Sequence, residues 1–349
     1  MQQPSLVSGR KYIVFRALAA LLALASPLAS AAAGAIEPHT LRPDGSAIRW
    51  RLDVPDAREG RVGLIVAMQG SGCEPASEGA AIEAVRAAFS GLAVVTVDKY
   101  GVEPRPAVKT EECSAAFYRH HTLSQRVADY RQVVDSLRGA PWWNGDLLLL
   151  GGSEGGAIAA QLAGPLRAQT AIIISTGGGA RFGDMFRSLL VDQMNQLDMP
   201  AAQRPDIDAA FDHARQNPDS TQVWMSASFK FWADALSGIA PVESMLKADT
   251  QFLLIQGGRD AAPIVQAARA ASDAYAKAGR CELTYWEFPG LDHAMKDGAG
   301  GDRMPEVLTE AHRWWLAKRA VGGGAAVCGA HAAQTSGGAS SDAGRAPVD

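Results

Sequence analysis

The feature that most constrains the fold of this chain is an apolar run that ends directly in a glycine-rich turn. Residues 146–150 read Asp-Leu-Leu-Leu-Leu, and Gly151-Gly152-Ser153-Glu154-Gly155-Gly156 follows at once. A short run of this kind is typical of a strand buried on both faces. Small residues dominate the next stretch, 157–162, which favours a closely packed helix. The segment therefore predicts a central strand, a tight turn and a helix.

Short apolar runs alternate with helix-length segments along much of the remaining chain. Other strands are predicted at 62–68, 92–97, 171–175, 251–256 and 282–287, and the main helices at 76–89, 122–138 and 305–319. This alternation indicates an α/β fold with a mostly parallel sheet flanked by helices. It stops over 180–247, which predicts a helical cap inserted into a single domain spanning 34–319. Gly, Ala and Ser dominate 320–349, where we expect a disordered tail.

The N-terminus is predicted to be a signal peptide covering residues 1–33. Basic residues precede an apolar run at 17–28, and small residues follow it. This order is typical of secretory signals. A transmembrane anchor is the alternative, but the run is shorter than the ~20 residues that cross a bilayer. We expect a secreted or periplasmic protein with no stable membrane insertion after the signal is removed.

Export changes the interpretation of the four cysteines, Cys73, Cys113, Cys281 and Cys328. An even number in an oxidising compartment suggests two disulfides. Three pairings are possible, and our hypothesis is Cys73–Cys113 with Cys281–Cys328. The first pair would join two loops on one rim of the sheet, and the second would hold the tail. Four buried thiols are the alternative.

Composition excludes one class of partner. The 349 residues are 47% hydrophobic and 20% charged, with a formal net charge of −4. Such a chain has no basic field to attract nucleic acid. Composition does not identify a substrate, and the expectation of a small-molecule substrate rests on the candidate site residues.

The glycine-rich turn matches Gly-x-Ser-x-Gly, the pattern of a nucleophile elbow, and makes Ser153 the candidate nucleophile. Glycines two residues to either side avoid clashes in so tight a turn. The serine hydroxyl would then stand at the carboxyl edge of the sheet. The alternative is a close-packed or phosphate-binding turn, although the Gly-Lys-Ser/Thr ending of a P-loop is missing.

A serine nucleophile needs a base, and the base needs an orienting carboxylate. Asp260 follows the strand predicted at 251–256, and His293 follows the strand predicted at 282–287. Both lie at the same sheet edge as Ser153, in the order nucleophile, acid, base that this architecture uses. Asp292 is the rival acid, but a sequence neighbour of His293 is expected to point elsewhere. Six further histidines lack this position after a late strand: His39, His120, His121, His213, His312 and His331.

Acyl transfer also needs two donors for the oxyanion. One predicted donor is the backbone N–H of Glu154. The other comes from Gln69-Gly70-Ser71-Gly72-Cys73, named here the oxyanion loop, where Ser71 N–H is preferred to Gly72 N–H. The alternative is that this loop is only a tight turn.

From 62 to 319 the chain resembles the α/β-hydrolase superfamily. Gly152-Ser153-Glu154-Gly155-Gly156 is similar to the elbow of prolyl-oligopeptidase-like and dienelactone-hydrolase-like members. The resemblance implies an eight-stranded sheet, a cap after the sixth strand, and nucleophile, acid and base at Ser153, Asp260 and His293. Gln69 stands where the family commonly has a histidine.

The expected activity is hydrolysis of a small ester or related acyl substrate through an acyl-enzyme, with no cofactor and no metal. A small-peptide peptidase with the same three residues, acyl transfer to another acceptor and a non-catalytic binding protein remain alternatives. Glu154 either binds a positively charged substrate group or pairs with a nearby Lys or Arg. Asp98 and Lys99 either line the pocket or form an exposed ion pair.

Overall fold

The described residues, 40–55, 60–102 and 113–320 of this computed structural model, are built around one extended sheet. Their strands are β1 (Thr40–Leu41), β2 (Ala47–Ile48), β3 (Trp50–Asp53), β4 (Val62–Met68), β5 (Ala93–Val97), β6 (Trp143–Gly152), β7 (Thr170–Ile174), β8 (Val223–Trp224), β9 (Ala227–Ser228), β10 (Gln251–Gly257) and β11 (Leu283–Phe288). Their helices are α1 (Ala80–Ala88), α2 (Ala115–His120), α3 (Leu123–Leu137), α4 (Glu154–Ala163), α5 (Phe182–Gln196), α6 (Ile207–Gln216), α7 (Phe229–Ser237), α8 (Pro241–Met245), α9 (Ala262–Lys277) and α10 (Met304–Ala320).

The sheet has the strand order β11-β10-β7-β6-β4-β5-β3. Only β3 runs antiparallel to its neighbour, β5, and the other pairs are parallel. The fold class predicted from the sequence is confirmed. Because parallel strands end at one edge, the turns after β4, β6, β10 and β11 meet there.

Seven strands form this sheet within the described residues, not the eight that the family resemblance implies. The N-terminal strands β1 and β2 pair only with each other, in a separate two-stranded hairpin. Arg42 beside this hairpin binds Asp129 of α3 through two hydrogen bonds of 2.9 Å. The hairpin is therefore held against a helix and does not extend the sheet.

The central strands are apolar throughout because both of their faces are buried. Along β4, Leu64 and Val66 belong to one hydrophobic core, and Ile65 and Ala67 belong to the other. Side chains of α1 and α10 complete the second core, while α3, α4 and α9 contribute to the first. This burial on both sides explains why these strands lack alternating polar residues.

The cap predicted over 180–247 contains α5 to α8, a 3₁₀ turn and one feature that the sequence pattern did not indicate. Strands β8 and β9 form a short antiparallel hairpin whose turn residues, Met225 and Ser226, both have positive φ angles of 47° and 63°. Hairpin turns of this kind usually carry Asn and Gly. Their absence removed the signal that predicts a hairpin.

Three segments remain: the predicted signal peptide, the predicted tail and the helix α2. The predicted signal peptide and the predicted tail lie outside the described residues, except for Ala320, which ends α10. Helix α2 lies just before the helix predicted at 122–138, where the sequence pattern did not indicate a helix, and Ser114 caps its first turn by accepting a hydrogen bond from Phe117 N–H. Among the helices of 40–55, 60–102 and 113–320, none is both long and apolar enough to cross a membrane.

Candidate active site

Ser153 occupies the turn between β6 and α4. Its backbone has φ 51° and ψ −121°, which is uncommon for a residue with a side chain. Its N–H donates to Ile174 O at 2.8 Å, which fixes the turn against β7. Strain held in this way is typical of functional turns.

The glycines around Ser153 are required by close backbone contacts. A Cβ atom on Gly151 would lie 2.2 Å from Gly155 O, and one on Gly155 would lie 2.2 Å from Met68 O. Gly152 is different, because a Cβ there would meet its nearest atom at 3.9 Å. The turn thus demands glycine at the outer positions of the motif.

Three predicted site residues from separate segments come together at the carboxyl edge of the sheet. His293 Nε2 lies 3.2 Å from Ser153 Oγ, and His293 Nδ1 lies 2.8 Å from Asp260 Oδ2. The Asp260 side chain is 3% exposed and the His293 side chain is 44% exposed. The hydrogen bond that Asp260 accepts from the His293 ring raises the pKa of His293, while partial burial opposes that shift.

Asp260 is fixed by two further donors. Gln256 Nε2 donates to Asp260 Oδ2 at 2.7 Å, and Ala261 N–H donates to Oδ1 at 2.7 Å. The rival acid, Asp292, instead accepts hydrogen bonds from Ala294 N–H and Lys296 N–H. Asp292 therefore shapes the turn that carries His293 and does not bind its ring.

None of the other described histidines reaches Ser153. His120 stacks on Tyr100, His213 lies against Phe229, and His312 packs against Phe89. His121 is buried between the rings of Phe117 and Phe231. His39 and His331 lie outside the described residues.

The oxyanion loop follows β4 and lies beside Ser153. A Cβ on Gly70 would lie 3.3 Å from Ser153 Cβ. The N–H groups of Ser71, Gly72 and Glu154 have no hydrogen-bond acceptor within the described part of the chain. Both predicted donors, and the alternative at Gly72, thus retain an N–H that can bind an oxyanion.

Glu154 lies at the centre of a buried ion cluster, which we define as Lys99, His121, Arg126 and Glu154. Its Oε1 accepts from Arg126 Nη1 at 2.5 Å and lies 3.4 Å from His121 Nε2. Burial alone would raise the pKa of Glu154, but Lys99, His121 and Arg126 outweigh it and hold that pKa well below its ordinary value. The structure thus favours pairing with an arginine over binding of a substrate cation.

Lys99 and Asp98 also have defined partners. Lys99 Nζ donates to Gly70 O at 2.6 Å and to Gly72 O at 2.5 Å, and burial lowers its pKa to about 7. Asp98 pairs with Arg49 at 3.2 Å and accepts from Ala76 N–H. Lys99 therefore belongs neither to an exposed ion pair nor to the pocket lining. Sequence reasoning missed this bracing role.

A disulfide bond joins Cys73 and Cys113, the first predicted pair. It links the end of the oxyanion loop to the residue that precedes Ser114 and α2. The second predicted pair includes Cys328, which lies outside the described residues, so that pairing stays a prediction.

A cavity of about 870 Å³ opens beside the oxyanion loop and Glu154. Aromatic side chains supply much of its wall: Phe117 and Tyr118 from α2, Phe182 and Phe186 from α5, and Phe231 and Trp232 from α7. The β8–β9 hairpin contributes Met225 at the rim. Within the described residues, no group of three or more His, Cys, Asp or Glu side chains is placed to hold a metal.

Comparison with known proteins adds to this geometry. No protein-family model matches the chain, and no curated protein matches its sequence. Solved structures do match it. Est1E from Butyrivibrio proteoclasticus, with ferulic acid bound, has a TM-score of 0.55 and 20% identity, over 80% of this chain and 98% of that one. The chain has the α/β-hydrolase fold.

Two other α/β-hydrolase structures give the same result. An esterase from Pyrococcus furiosus has a TM-score of 0.54 and 12% identity, over 81% of this chain and 91% of that one. Dipeptidyl peptidase 4 from Porphyromonas gingivalis has a TM-score of 0.53 and 10% identity, over 81% of this chain and 35% of that one. At these identities the likeness establishes the fold.

Proposed function

We propose that the protein is a serine hydrolase that cleaves esters through an acyl-enzyme. The observation that carries the proposal is the unbroken hydrogen-bonded chain Ser153–His293–Asp260. His293 accepts the Ser153 proton as the hydroxyl attacks the acyl carbonyl, then gives it to the leaving alcohol. Asp260 holds the ring and stabilises its charged form. Water, deprotonated by His293, then releases the acid.

The developing oxyanion is held by backbone N–H groups. Glu154 N–H stands at the start of α4, where the helix dipole also favours negative charge. Ser71 N–H supplies the second donor from the oxyanion loop. Neither donor has a competing acceptor among the described residues.

The substrate class follows from the cavity beside these donors. Its aromatic wall and its volume of about 870 Å³ favour an apolar, ring-containing acyl group over a charged one. Est1E, one of the similar structures, has ferulic acid, an aromatic acid, bound. A peptidase that anchors a free amino terminus is less well supported, because Arg126 and Ser71 already occupy the Glu154 carboxylate.

A fluorophosphonate probe tests the assignment directly. We expect wild-type protein to become labelled and to hydrolyse p-nitrophenyl esters, with kcat/KM higher for aryl-substituted acyl chains than for acetate. Ser153→Ala should abolish both activities, because it removes the hydroxyl that lies 3.2 Å from His293 Nε2. Equal labelling of the two proteins, or hydrolysis of aminoacyl anilides without any esterase activity, would refute the proposal.

We also propose that the protein is exported. The disulfide bond between Cys73 and Cys113 supports this, because such bonds persist mainly in oxidising compartments. Expression of the full chain in a bacterium should yield a periplasmic or secreted protein that begins near residue 34. A cytoplasmic product with an intact N-terminus would contradict the proposal.

A further inference from the structure

We propose that the buried ion cluster positions the oxyanion loop for the reaction, with Lys99 as the principal positioning residue. The inference rests on the proposed function, but it concerns residues that the hydrolytic mechanism itself does not use. Lys99 touches neither Ser153 nor the cavity. It acts on the peptide groups that carry the oxyanion donor.

The geometry of the peptide bond gives Lys99 its effect. In a planar trans peptide, the C=O of one residue and the N–H of the next point in opposite directions. Lys99 Nζ holds Gly70 O at 2.6 Å, and that oxygen shares a peptide unit with Ser71 N–H. Fixing the carbonyl on the buried side therefore aims the Ser71 donor away from Lys99.

The neighbouring peptide units are restrained from the same side. Arg126 Nη2 donates to Gln69 O at 2.9 Å, and Lys99 Nζ also donates to Gly72 O at 2.5 Å. Three restrained carbonyl groups within four residues of a glycine-rich loop limit the freedom of its peptide units to flip. Gly72, with a φ of +106°, is the residue best able to flip without them.

Glu154 connects this restraint to the second donor. Its Oε2 accepts from Ser71 Oγ at 3.0 Å and its Oε1 binds Arg126, while its own backbone N–H is the other proposed donor. One side chain thus fixes the spacing between the two donors. Its position directly after the nucleophile makes this link possible.

The energetics favour a positioning role over a purely stabilising one. Burial lowers the pKa of Lys99 to about 7, so its charged form is disfavoured in the fold. Buried charges of this kind are poor sources of stability. The amine keeps two N–H groups with or without its third proton, which is enough for both carbonyls.

Lys99→Met tests the inference because it keeps an unbranched side chain of nearly the same length and removes both hydrogen bonds from Nζ. Active sites are titrated to completion with the fluorophosphonate, and kcat per titrated site is measured with a short p-nitrophenyl ester. Loss of a whole oxyanion donor costs ~10²–10³ in rate, so a displaced donor should lower kcat by about 10- to 100-fold. We expect KM to change less than about twofold, because the oxyanion forms only after binding.

Ser71→Ala is the second variant. It removes the hydroxyl that binds Glu154, but it keeps the backbone N–H and a small, exposed side chain. Its kcat per titrated site should fall by about three- to tenfold, because one of several restraints on the loop is lost. Folding of this variant is not at issue, so it decides the question if Lys99→Met gives no folded protein.

Arg42→Met is the matched control. Arg42 is also a buried cation that binds a carboxylate, Asp129, and a backbone carbonyl, Ala47 O, but it lies outside the buried ion cluster. We expect this variant to lose stability and to keep the wild-type kcat per site. Wild-type kcat in Lys99→Met, with a loss of stability like that of Arg42→Met, would overturn the inference, as would wild-type kcat in Ser71→Ala. An inert wild-type protein would overturn the proposed function as well.

Discussion

At the scale of single residues, the site depends on the different surroundings of the two candidate acids, Asp260 and Asp292. Asp260 is buried and receives hydrogen bonds from Gln256, Ala261 and His293. Asp292 directs its carboxylate to backbone N–H groups of its own turn. Only the first of these carboxylates can orient the histidine ring.

The pH dependence of hydrolysis should report this difference. The base must be neutral to accept a proton, and Asp260 raises the pKa of His293. We expect kcat/KM to fall as pH drops through a value above the ordinary histidine pKa. In Asp260→Asn, kcat/KM should be about 10³–10⁴-fold lower than in wild type. The acid limb of its pH–rate profile, where kcat/KM falls as His293 is protonated, should move to lower pH.

Asp292→Asn is the control for this prediction. Its more distant charge raises the pKa of His293 only as a minor contribution. The acid limb should therefore move little, and kcat should stay within a few-fold of wild type. Equal losses in the two variants would contradict the role given to Asp260. The pH–rate profiles of all three proteins provide the measurement.

At the scale of elements, the chemistry is assembled by strand ends. β6, β10 and β11 each end just before one of the three site residues, and β7 lies between β6 and β10. The helix α4 then begins at Glu154, so the proposed oxyanion donor and the proposed nucleophile, Ser153, are carried by one junction. The spacing of the strands in the sheet brings the ends within reach of one another.

The β6–α4 junction should tolerate a methyl group at one glycine and not at another. In Gly155→Ala the new Cβ would overlap Met68 O, and overpacking of this kind costs ~1–3 kcal/mol or more. In Gly152→Ala the Cβ has room, at 3.9 Å from its nearest neighbour. We expect the free energy of unfolding, measured in urea, to fall by about 3 kcal/mol in the first and by less than about 1 kcal/mol in the second. Equal losses would show that backbone crowding does not explain the motif.

The disulfide bond should stabilise the loops on this rim of the molecule. It joins residues 40 apart in sequence. Loop-closure entropy then gives a stabilisation of about 4 kcal/mol, which is an upper value because the folded loops can relax. The free energy of unfolding of the double variant Cys73→Ala/Cys113→Ala, measured in urea, should be lower than that of wild type by up to this amount. A variant as stable as wild type would exclude this contribution.

At the scale of the whole molecule, the sheet has a hydrophobic core on each face. Some charged side chains, including Lys99, are also buried. Lys99 is only 3% exposed, and its ammonium group binds two backbone carbonyl groups of the oxyanion loop. A buried cation couples the stability of the entire fold to proton binding. The effect of burying Lys99 should therefore be visible in the pH dependence of the free energy of unfolding.

The linkage has a definite sign. Burial lowers the pKa of Lys99 in the folded protein to about 7, from 10.5 in the unfolded chain. Between these pH values the unfolded chain binds more protons, so stability from this group rises with pH, by at most ~1.4 kcal/mol per unit. The free energy of unfolding of wild type, minus that of Lys99→Met, should therefore become more positive from pH 7 to pH 10. A difference that is constant, or that shrinks, would contradict the lowered pKa.

Much of this protein could be predicted from the sequence because the relevant signals are local. Burial of a strand on both faces requires a continuous apolar run, as at Leu147–Leu150, and a tight strand–helix turn requires glycines at fixed positions around Ser153. The ends of such strands also indicate where Asp260 and His293 belong. These constraints act between residues that are close in the chain, so they produce recognisable patterns in the sequence.

The tertiary structure decided what those local signals leave open. The choice of Asp260 over Asp292, the pairing of Glu154 with Arg126 and the hold of Lys99 on Gly70 join residues 33, 28 and 29 positions apart. The β8–β9 hairpin and helix α2, which line the cavity, carry little periodic signal of their own. Such contacts depend on how helices, strands and loops pack against one another. The residue pattern within one element does not specify that packing. The sequence by itself determined the elements and the nucleophile's turn, whereas packing decided which charged side chains support it.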